Sequence, residues 1–227
     1  MNDPRKNQPM QLIGMLDSPY VRRVAISLQL LGLDFEHRPI SVFRTFDQFR
    51  QINPVVKAPT LVCDDGTVLM DSTLILEYAE ALSRSRKSKS GSRSLLPTAL
   101  PELQRDLRVA GLALAACEKS VQVLYEGMTR PPEKRHEPWL ARVTGQMLAA
   151  YEALNLEVGQ RPLDVTNAGI TQGAISAAVA WHFTQRMQPE LVPADDFPGL
   201  VALSGEAEAL EEFRAAPYGD STYQTPR

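Results

Sequence analysis

Residues 83–94 contain no apolar side chain, and this stretch limits how the rest of the chain can fold. Its sequence is S-R-S-R-K-S-K-S-G-S-R-S, with six serines, five basic residues and one glycine. Because such a stretch has nothing to bury in a core, we expect a linker at 83–97. The chain of 227 residues is long enough for a small domain on each side of that linker.

Before the linker, the pattern alternates between short strands and helices. The apolar run M-Q-L-I-G-M at 10–15 predicts a first strand, and D-S-P follows it. The next apolar residues are spaced as one face of an α-helix: Val21, Val24, Ala25, Leu28 and Leu31. Ser18 as N-cap, Pro19 at the first helical position and Gly32 after the last turn indicate where this helix begins and ends.

The remainder of this first part continues the alternation. L-D-F-E-H-R-P-I is a second strand candidate, and a phenylalanine at every third position from Phe43 to Phe49 suggests a short helix. A-P-T-L-V-C and T-V-L-M predict two strands joined by a tight turn at D-D-G. Asp71 or Ser72 then caps a helix. Its predicted apolar face is Leu74, Ile75, Tyr78 and Leu82. The order β-α-β-α-β-β-α predicts an α/β domain at 10–82.

After the linker, only helical patterns remain. One helix carries an apolar stripe at Leu103, Leu107, Ala110, Leu114 and Cys117, and a second at Trp139, Val143, Met147, Ala150, Tyr151 and Leu154. Thr171 begins a helix of small residues, and a last helix covers 200–213. We therefore expect an all-helical domain at 98–227, with Trp139, Trp181 and Tyr151 in its core, and a flexible polar tail at 1–9.

The composition argues against several classes of function. A net charge of -3 gives no general attraction to nucleic acid or anionic membranes, and the basic run lacks interleaved aromatic residues, so we expect neither partner. No run approaches the ~20 apolar residues of a membrane span, and the N-terminus lacks a signal peptide, so we expect a cytoplasmic protein. Cys63 and Cys117 are expected as buried small residues. The histidines are scattered and predict no metal site: His37, His136 and His182.

Four segments resemble the cytosolic glutathione transferase family, in its bacterial type with serine at the thiol-activating position. They are S-P-Y-V-R-R-V, N-P-V-V-K-A-P-T-L, L-M-D-S-T-L-I-L-E-Y and F-P-G-L-V-A-L. The first three occur in the family's order and spacing, and the resemblance covers about residues 10–216. It implies a thioredoxin-like α/β domain followed by an all-α domain, glutathione as co-substrate, no metal, and a homodimer.

Within that resemblance, Ser18 is the candidate catalytic residue. A free thiol has a pKa of ~8.5, and a hydroxyl that donates to the sulfur at a helix N-terminus would favour the thiolate. The alternative is that Ser18 only caps the helix. Tyr20 and either Arg22 or Arg23 are rival donors, each expected as a solvated residue of the first turn. The stretch also resembles the C-P-Y-C of glutaredoxins, but serine cannot form the mixed disulfide of that chemistry.

The glutathione-binding residues implied by the resemblance are Lys57, Ala58, Pro59, Asp71 and Ser72. A cis bond before the proline would turn the Ala58 backbone towards the cysteinyl part of glutathione. The acidic residue and the serine would hold the γ-glutamyl group, and the lysine would reach the glycyl carboxylate. The alternatives are an ordinary strand-entry proline, a plain N-cap and a surface lysine.

The second substrate would enter an apolar pocket to which Leu16 and Tyr20 contribute. The implied reaction is attack of the glutathione thiolate on a small hydrophobic electrophile, as in detoxification. Two alternatives stay open: a glutathione-dependent isomerase, dehalogenase or peroxidase on the same site, and a non-catalytic binding or regulatory protein. One departure from the family is a missing acid in the capping box of the helix at Thr171, where Ala174 replaces it; this predicts a loss of about 1 kcal/mol.

Overall fold

A computed structural model describes residues 9–86, 93–220 and 223. The chain forms two compact units, one of Met1–Leu95 with Glu211–Arg227 and one of Leu96–Leu210. The predicted tail at 1–9 lies outside the described residues apart from Pro9, and residues 87–92 of the predicted linker lie outside them as well.

The first unit contains a mixed four-stranded sheet with helices. Its elements are β1 (Met10–Ile13), α1 (Pro19–Leu30), β2 (Phe35–Arg38), α2 (Phe46–Ile52), β3 (Thr60–Val62), β4 (Val68–Met70), α3 (Ser72–Ser85) and, from the end of the chain, α8 (Glu211–Ala215). The sheet order is β2-β1-β3-β4; β2 is parallel to β1, and β3 is antiparallel to both β1 and β4. This is the thioredoxin-like arrangement that the resemblance implied, and it contains the α/β order that the sequence pattern predicted.

Two apolar faces differ from the prediction. Of the regularly spaced phenylalanines, only Phe49 is buried, where it packs with Ile13 and Ile40, because α2 begins at Phe46 and Phe43 lies in the loop before it. On α3 the predicted Leu74 is 59% exposed. The predicted Ile75 is buried, and Leu76 and Ala79 join it on the buried face of that helix.

Helix α3 extends into the stretch that composition assigned to a linker. Ser83 is buried, and its hydroxyl donates to the carbonyl of Arg93 at 3.2 Å. Farther along, the buried carboxylate of Glu80 accepts the backbone N–H of Leu95 at 2.7 Å. Hydrogen bonds to hydroxyl, carboxylate and backbone groups, together with the buried side chain of Leu95, therefore hold the described ends of the predicted linker on the first unit.

The end of the chain also belongs to the first unit, whereas the sequence pattern placed it in the helical domain at 98–227. Arg22 is 1% exposed; its Nε donates to the Ala216 carbonyl at 2.8 Å and its Nη2 to the Phe213 carbonyl at 3.3 Å. The expectation of a solvated Arg22 is wrong. Its charged group is buried because it satisfies carbonyls of this last segment.

The second unit is all-helical, as predicted. Its helices are α4 (Leu100–Thr129), α5 (Glu137–Gln160), α6 (Gln172–Met187) and α7 (Pro198–Glu208). Tyr151 is buried and donates to the carbonyl of Ala180 at 3.0 Å, and Trp181 is buried edge-on against it. Trp139 is 43% exposed, so its assignment to the core is wrong. None of the helices in the described ranges is long and apolar enough to cross a membrane.

The missing capping acid of α6 is replaced from another helix. Thr171 is the N-cap, and its hydroxyl oxygen accepts the backbone N–H of Ala174 at 3.4 Å. The same hydroxyl donates to the buried carboxylate of Asp106 on α4. Both oxygens of Asp106 lie 3.1 Å from the backbone nitrogen of Gly173, where a Cβ would collide with the carboxylate. The expected loss of about 1 kcal/mol is therefore offset by a carboxylate 65 residues earlier.

We predict that Asp106→Ala lowers the free energy of unfolding by about 2 kcal/mol, because it leaves buried donors of the α6 N-terminus without their acceptor. Asp106→Asn keeps one acceptor oxygen and should cost less. Chemical denaturation of both variants at neutral pH measures the difference. An Asp106→Ala protein as stable as the wild type would contradict the role of this carboxylate.

Candidate active site

Ser18 lies at the N-terminus of α1, as the sequence predicted. Its backbone is extended, at φ -74 and ψ 120, and its Oγ accepts the backbone N–H of Val21 at 3.5 Å. The cap interpretation is confirmed. A hydroxyl that accepts through a lone pair still has its own proton to donate, so capping leaves Ser18 able to donate to a further acceptor. The donor role remains a prediction.

The turn from β1 to α1 positions Ser18. Gly14 has φ 139, and a Cβ there would lie 2.5 Å from Cγ2 of Val21, so only glycine allows this close approach. The Gly14 carbonyl is 2.7 Å from Nε2 of the buried His37. The Ser18 N–H donates to the Met15 carbonyl at 3.1 Å. Strand β2 and helix α1 thus both constrain the loop that carries the hydroxyl.

A group of charges that the sequence analysis missed lies beside Ser18. Arg44 forms two hydrogen bonds of 2.9 Å with the carboxylate of Asp220. Burial, and then the charge of Asp220, raise the pKa of Asp17, while Arg44 acts to lower it. Asp17 and Asp220 are far apart in the chain, and no spacing indicates that they meet. Asp17 directly precedes Ser18, so these carboxylates bring negative charge towards the α1 N-terminus that acts against a thiolate there, and Arg44 offsets part of it.

The bond between Ala58 and Pro59 is cis, as the resemblance implied. Among the described residues, neither backbone group of the half-buried Ala58 is hydrogen-bonded. Two hydrogen bonds fix this loop. The Nδ2 of Asn53 donates to the Thr60 hydroxyl at 2.9 Å. That hydroxyl in turn donates to the Lys57 carbonyl at 2.7 Å. Both backbone groups of Ala58 are therefore presented by a loop that internal hydrogen bonds hold in place.

Lys57 and Asp71 come together at the N-terminus of α3. Asp71 is the N-cap, with φ 72, and its Oδ1 accepts the Thr73 N–H at 3.0 Å. The Nζ of Lys57 lies 3.6 Å from the other oxygen, and both side chains are about half exposed. An exposed pair of this kind contributes little stability, so the ammonium group can turn towards a ligand carboxylate. The ligand roles of both residues remain predictions.

Ser72 has a partner that the sequence analysis did not foresee. Arg23 is 3% exposed, and its Nη1 donates to the Ser72 hydroxyl at 3.0 Å and to the Thr73 hydroxyl at 3.3 Å. The expectation of a solvated Arg23 is wrong. The helical spacing of apolar residues on α1 could not reveal that Arg23 is buried, because an arginine at this position is equally compatible with a solvent-facing turn.

The remaining candidates are placed as follows. Leu16 has no exposed surface, and Tyr20 is half-buried, so their part in a substrate pocket remains a prediction. Cys63 and Cys117 are both buried, as predicted, and neither forms a disulfide. Across residues 9–86, 93–220 and 223, no group of three or more His, Cys, Asp or Glu side chains is placed to hold a metal ion.

Comparison with known proteins connects this geometry to one family. Residues 12–87 match the family described as glutathione S-transferase, N-terminal domain. The chain is 26% identical over 204 residues to an uncharacterised glutathione transferase-like protein of Escherichia coli K12, YibF, covering 90% of this chain and 96% of that protein. It is 31% identical over 143 residues to maleylacetoacetate isomerase of Pseudomonas aeruginosa, covering 58% of this chain and 63% of the isomerase.

A solved structure is similar along nearly the whole chain. It is a glutathione S-transferase from Methylobacterium radiotolerans, in complex with glutathione sulfonate. The two share 27% identity with a TM-score of 0.80, over 97% of this chain and 99% of the other. Residues 12–87 thus match the N-terminal domain family, and the chain as a whole is similar in structure to a glutathione S-transferase.

We predict that Asp17→Asn raises the thermal midpoint at pH 7. The pKa of Asp17 is raised in the folded state, which means that folding disfavours the charged carboxylate. Ionised Asp17 therefore lowers the free energy of unfolding at neutral pH. This cost disappears as the pH falls through the pKa of the folded state and then through that of the unfolded state. The gain should shrink towards pH 3. Glu77→Gln, at an exposed carboxylate of α3, is the control. A gain that is the same at both pH values would contradict the assignment.

Proposed function

We propose that this chain is a glutathione transferase in which the Ser18 hydroxyl stabilises the thiolate of bound glutathione. The observation that carries the proposal is the position of that hydroxyl at the N-terminus of α1, in a domain that matches the family. The thiolate attacks the electrophilic carbon of a small hydrophobic compound. A carbon–sulfur bond forms, the leaving group departs with its electron pair, and the thiol proton passes to solvent.

Stabilising the thiolate of bound glutathione requires more than one interaction. Lowering a thiol pKa from ~8.5 by about two units requires about 2.7 kcal/mol. A hydrogen bond to a charged group supplies about 1.5–3 kcal/mol, and a helix N-terminus about 0.3–1 kcal/mol. The Asp17 and Asp220 carboxylates oppose this shift, although Arg44 offsets part of their charge. The hydroxyl therefore has to supply most of the stabilisation.

The proposed glutathione contacts follow the length of the tripeptide. The Ala58 N–H and C=O would pair with the cysteinyl residue as a strand edge does, next to cis Pro59. Asp71 and Ser72 would hold the γ-glutamyl ammonium and carboxylate at the α3 N-terminus. Lys57 would bind the glycyl carboxylate. Tyr20 would contribute to the apolar site of the electrophile, and the fully buried Leu16 would support the wall of that site from inside the domain.

A glutathione-dependent isomerase is the second candidate. The 31% identity to a maleylacetoacetate isomerase favours it, and the same thiolate would serve both reactions. The fate of glutathione separates the possibilities: a transferase consumes it in a conjugate, an isomerase regenerates it, a dehalogenase releases halide, and a peroxidase forms oxidised glutathione. A non-catalytic binding protein would be retained on immobilised glutathione without turnover.

We predict that Ser18→Ala binds glutathione but raises the pKa of the bound thiol by about one to two units, because one charge-assisted hydrogen bond is lost. Calorimetric titration measures binding, and thiolate absorbance against pH measures the ionisation. Tyr20→Phe removes the rival hydroxyl and is the matched control.

Equal thiol pKa values in the wild type and Ser18→Ala would reduce Ser18 to a helix cap. In that case, a raised thiol pKa in Tyr20→Phe would transfer the role to Tyr20. Absence of glutathione binding by the wild type would overturn the enzyme proposal itself.

We also propose that the chain forms a homodimer through the edge of the sheet. Strand β4 is an edge strand, and it is followed directly by α3. Val68 and Met70 on β4 and Leu74 on α3 are exposed apolar side chains. An exposed apolar group beside an open sheet edge is a site of protein association, and a second copy of the chain is the partner that the family resemblance implies.

We predict that Leu74→Asp weakens self-association by at least about tenfold without unfolding the protein, because an exposed position tolerates the charge while an interface does not. Sedimentation equilibrium measures the dissociation constant. Val201→Asp, at an exposed apolar position of α7, is the control. A Leu74→Asp protein that associates as strongly as the wild type would exclude this surface.

A further inference from the structure

We infer that Arg23 is a positioning residue for the γ-glutamyl α-carboxylate of glutathione and acts through the Ser72 hydroxyl. The inference rests on the proposed function, since it concerns how the same site recognises that part of its ligand. Arg23 does not touch glutathione in this proposal. It determines which way Ser72 directs its proton.

The geometry begins with the place of Arg23 on α1. This helix packs against α3, and the guanidinium of Arg23 is directed at the first turn of α3. Its Nη1 lies 3.0 Å from the Ser72 hydroxyl and 3.3 Å from the Thr73 hydroxyl. The side chain is almost completely buried. A cation is therefore held within hydrogen-bond distance of the first two residues of α3.

The hydroxyl chemistry follows from this contact. A guanidinium N–H can only donate, so the Ser72 oxygen must act as the acceptor. Its own proton is then excluded from that direction and is available to another acceptor. A hydroxyl that accepts from a cation is also polarised into a stronger donor. Ser72 is thereby prepared to donate to an anion such as a carboxylate.

The charge balance at this helix end gives the cation a second effect. Asp71 is the N-cap, so a bound γ-glutamyl carboxylate would be the second negative group at the same N-terminus. Lys57 already lies beside Asp71, at 3.6 Å. The buried guanidinium of Arg23 adds positive potential on the protein side, where solvent screens it little. It therefore offsets repulsion between Asp71 and the ligand carboxylate.

A purely structural role for Arg23 is the competing explanation. Its two hydrogen bonds also join α1 to α3, and their loss would lower stability whether or not a ligand binds. Stability alone cannot separate the two explanations. The ligand can, because only the positioning role makes the effect specific to one carboxylate of glutathione.

The experiment measures dissociation constants by calorimetry for three ligands. They are glutathione, glutathione with the γ-glutamyl α-carboxylate converted to the amide, and glutathione with the glycyl carboxylate converted to the amide. In the wild type, the first amide should bind more weakly than glutathione. Arg23→Gln should reduce this preference by about tenfold, the value of one hydrogen bond to a charged group. The preference over the glycyl amide should not change.

Matched variants separate the effect of the contact between Arg23 and Ser72 from the general effect of removing a buried arginine. Arg22→Gln alters the neighbouring buried arginine, whose guanidinium bonds the carbonyls of Phe213 and Ala216, and should keep the wild-type preference despite any loss of stability. Ser72→Ala should lower the preference, and adding Arg23→Gln should then lower it much less than in the wild type, because only the effect of the guanidinium charge remains. Arg23→Lys keeps a cation but not the planar fork, and should lose at least about twofold of the preference.

The outcomes are distinct. A folded Arg23→Gln protein with the wild-type preference overturns the inference and leaves the proposed function intact. If Arg23→Gln does not fold, the same result in Arg23→Lys overturns it. Equal weakening of all three ligands assigns Arg23 a structural role only. A wild-type protein that binds none of the ligands overturns the proposed function, and the inference falls with it.

Discussion

Two adjacent buried arginines on α1 connect distant parts of the chain to the helix that begins at Ser18. Arg22 bonds the carbonyls of Phe213 and Ala216, and Arg23 bonds the hydroxyls at the start of α3. Transferring a charged group from water to the protein interior costs free energy, and hydrogen-bond acceptors offset that cost. Each buried guanidinium is therefore stable only while its acceptors stay within hydrogen-bond distance. The helix that carries the candidate catalytic hydroxyl is therefore held by partners from α3 and from the last segment of the chain.

The same principle operates in the helical unit. The family's capping acid is absent from α6, yet its first turn is capped by Asp106 from α4. This carboxylate accepts the N–H of Gly173 rather than that of the N-cap residue, but it likewise satisfies a backbone donor of the first turn. The first turn of α6 is therefore capped in part by a residue that no local sequence motif indicates.

Local chemistry explains why much of this protein could be predicted. The periodicity of α1, the N-cap at Ser18, the turn at Gly66 and the order of the strands depend on residues within a few positions of one another. Sequence alone would not have suggested the cis bond before Pro59; the resemblance to a family did. The burial of Arg22 and Arg23 could not be predicted, because a charged residue in a first helical turn is usually solvated. Trp139 was misassigned for the opposite reason, since a helical stripe does not show which of its residues a neighbouring helix covers.

The sequence by itself determined the α/β unit, the all-helical unit and the location of Ser18 at a helix N-terminus. Each of these follows from hydrophobic periodicity or from a turn or cap residue, and so acts over short distances along the chain. Tertiary structure alone decided that Asp220 lies against Arg44 near Asp17, that the last segment packs on the first unit, and that a guanidinium lies beneath Ser72. These contacts join residues 49 to 194 positions apart. Charge and hydrogen-bond complementarity selects them only after the chain has brought the groups together.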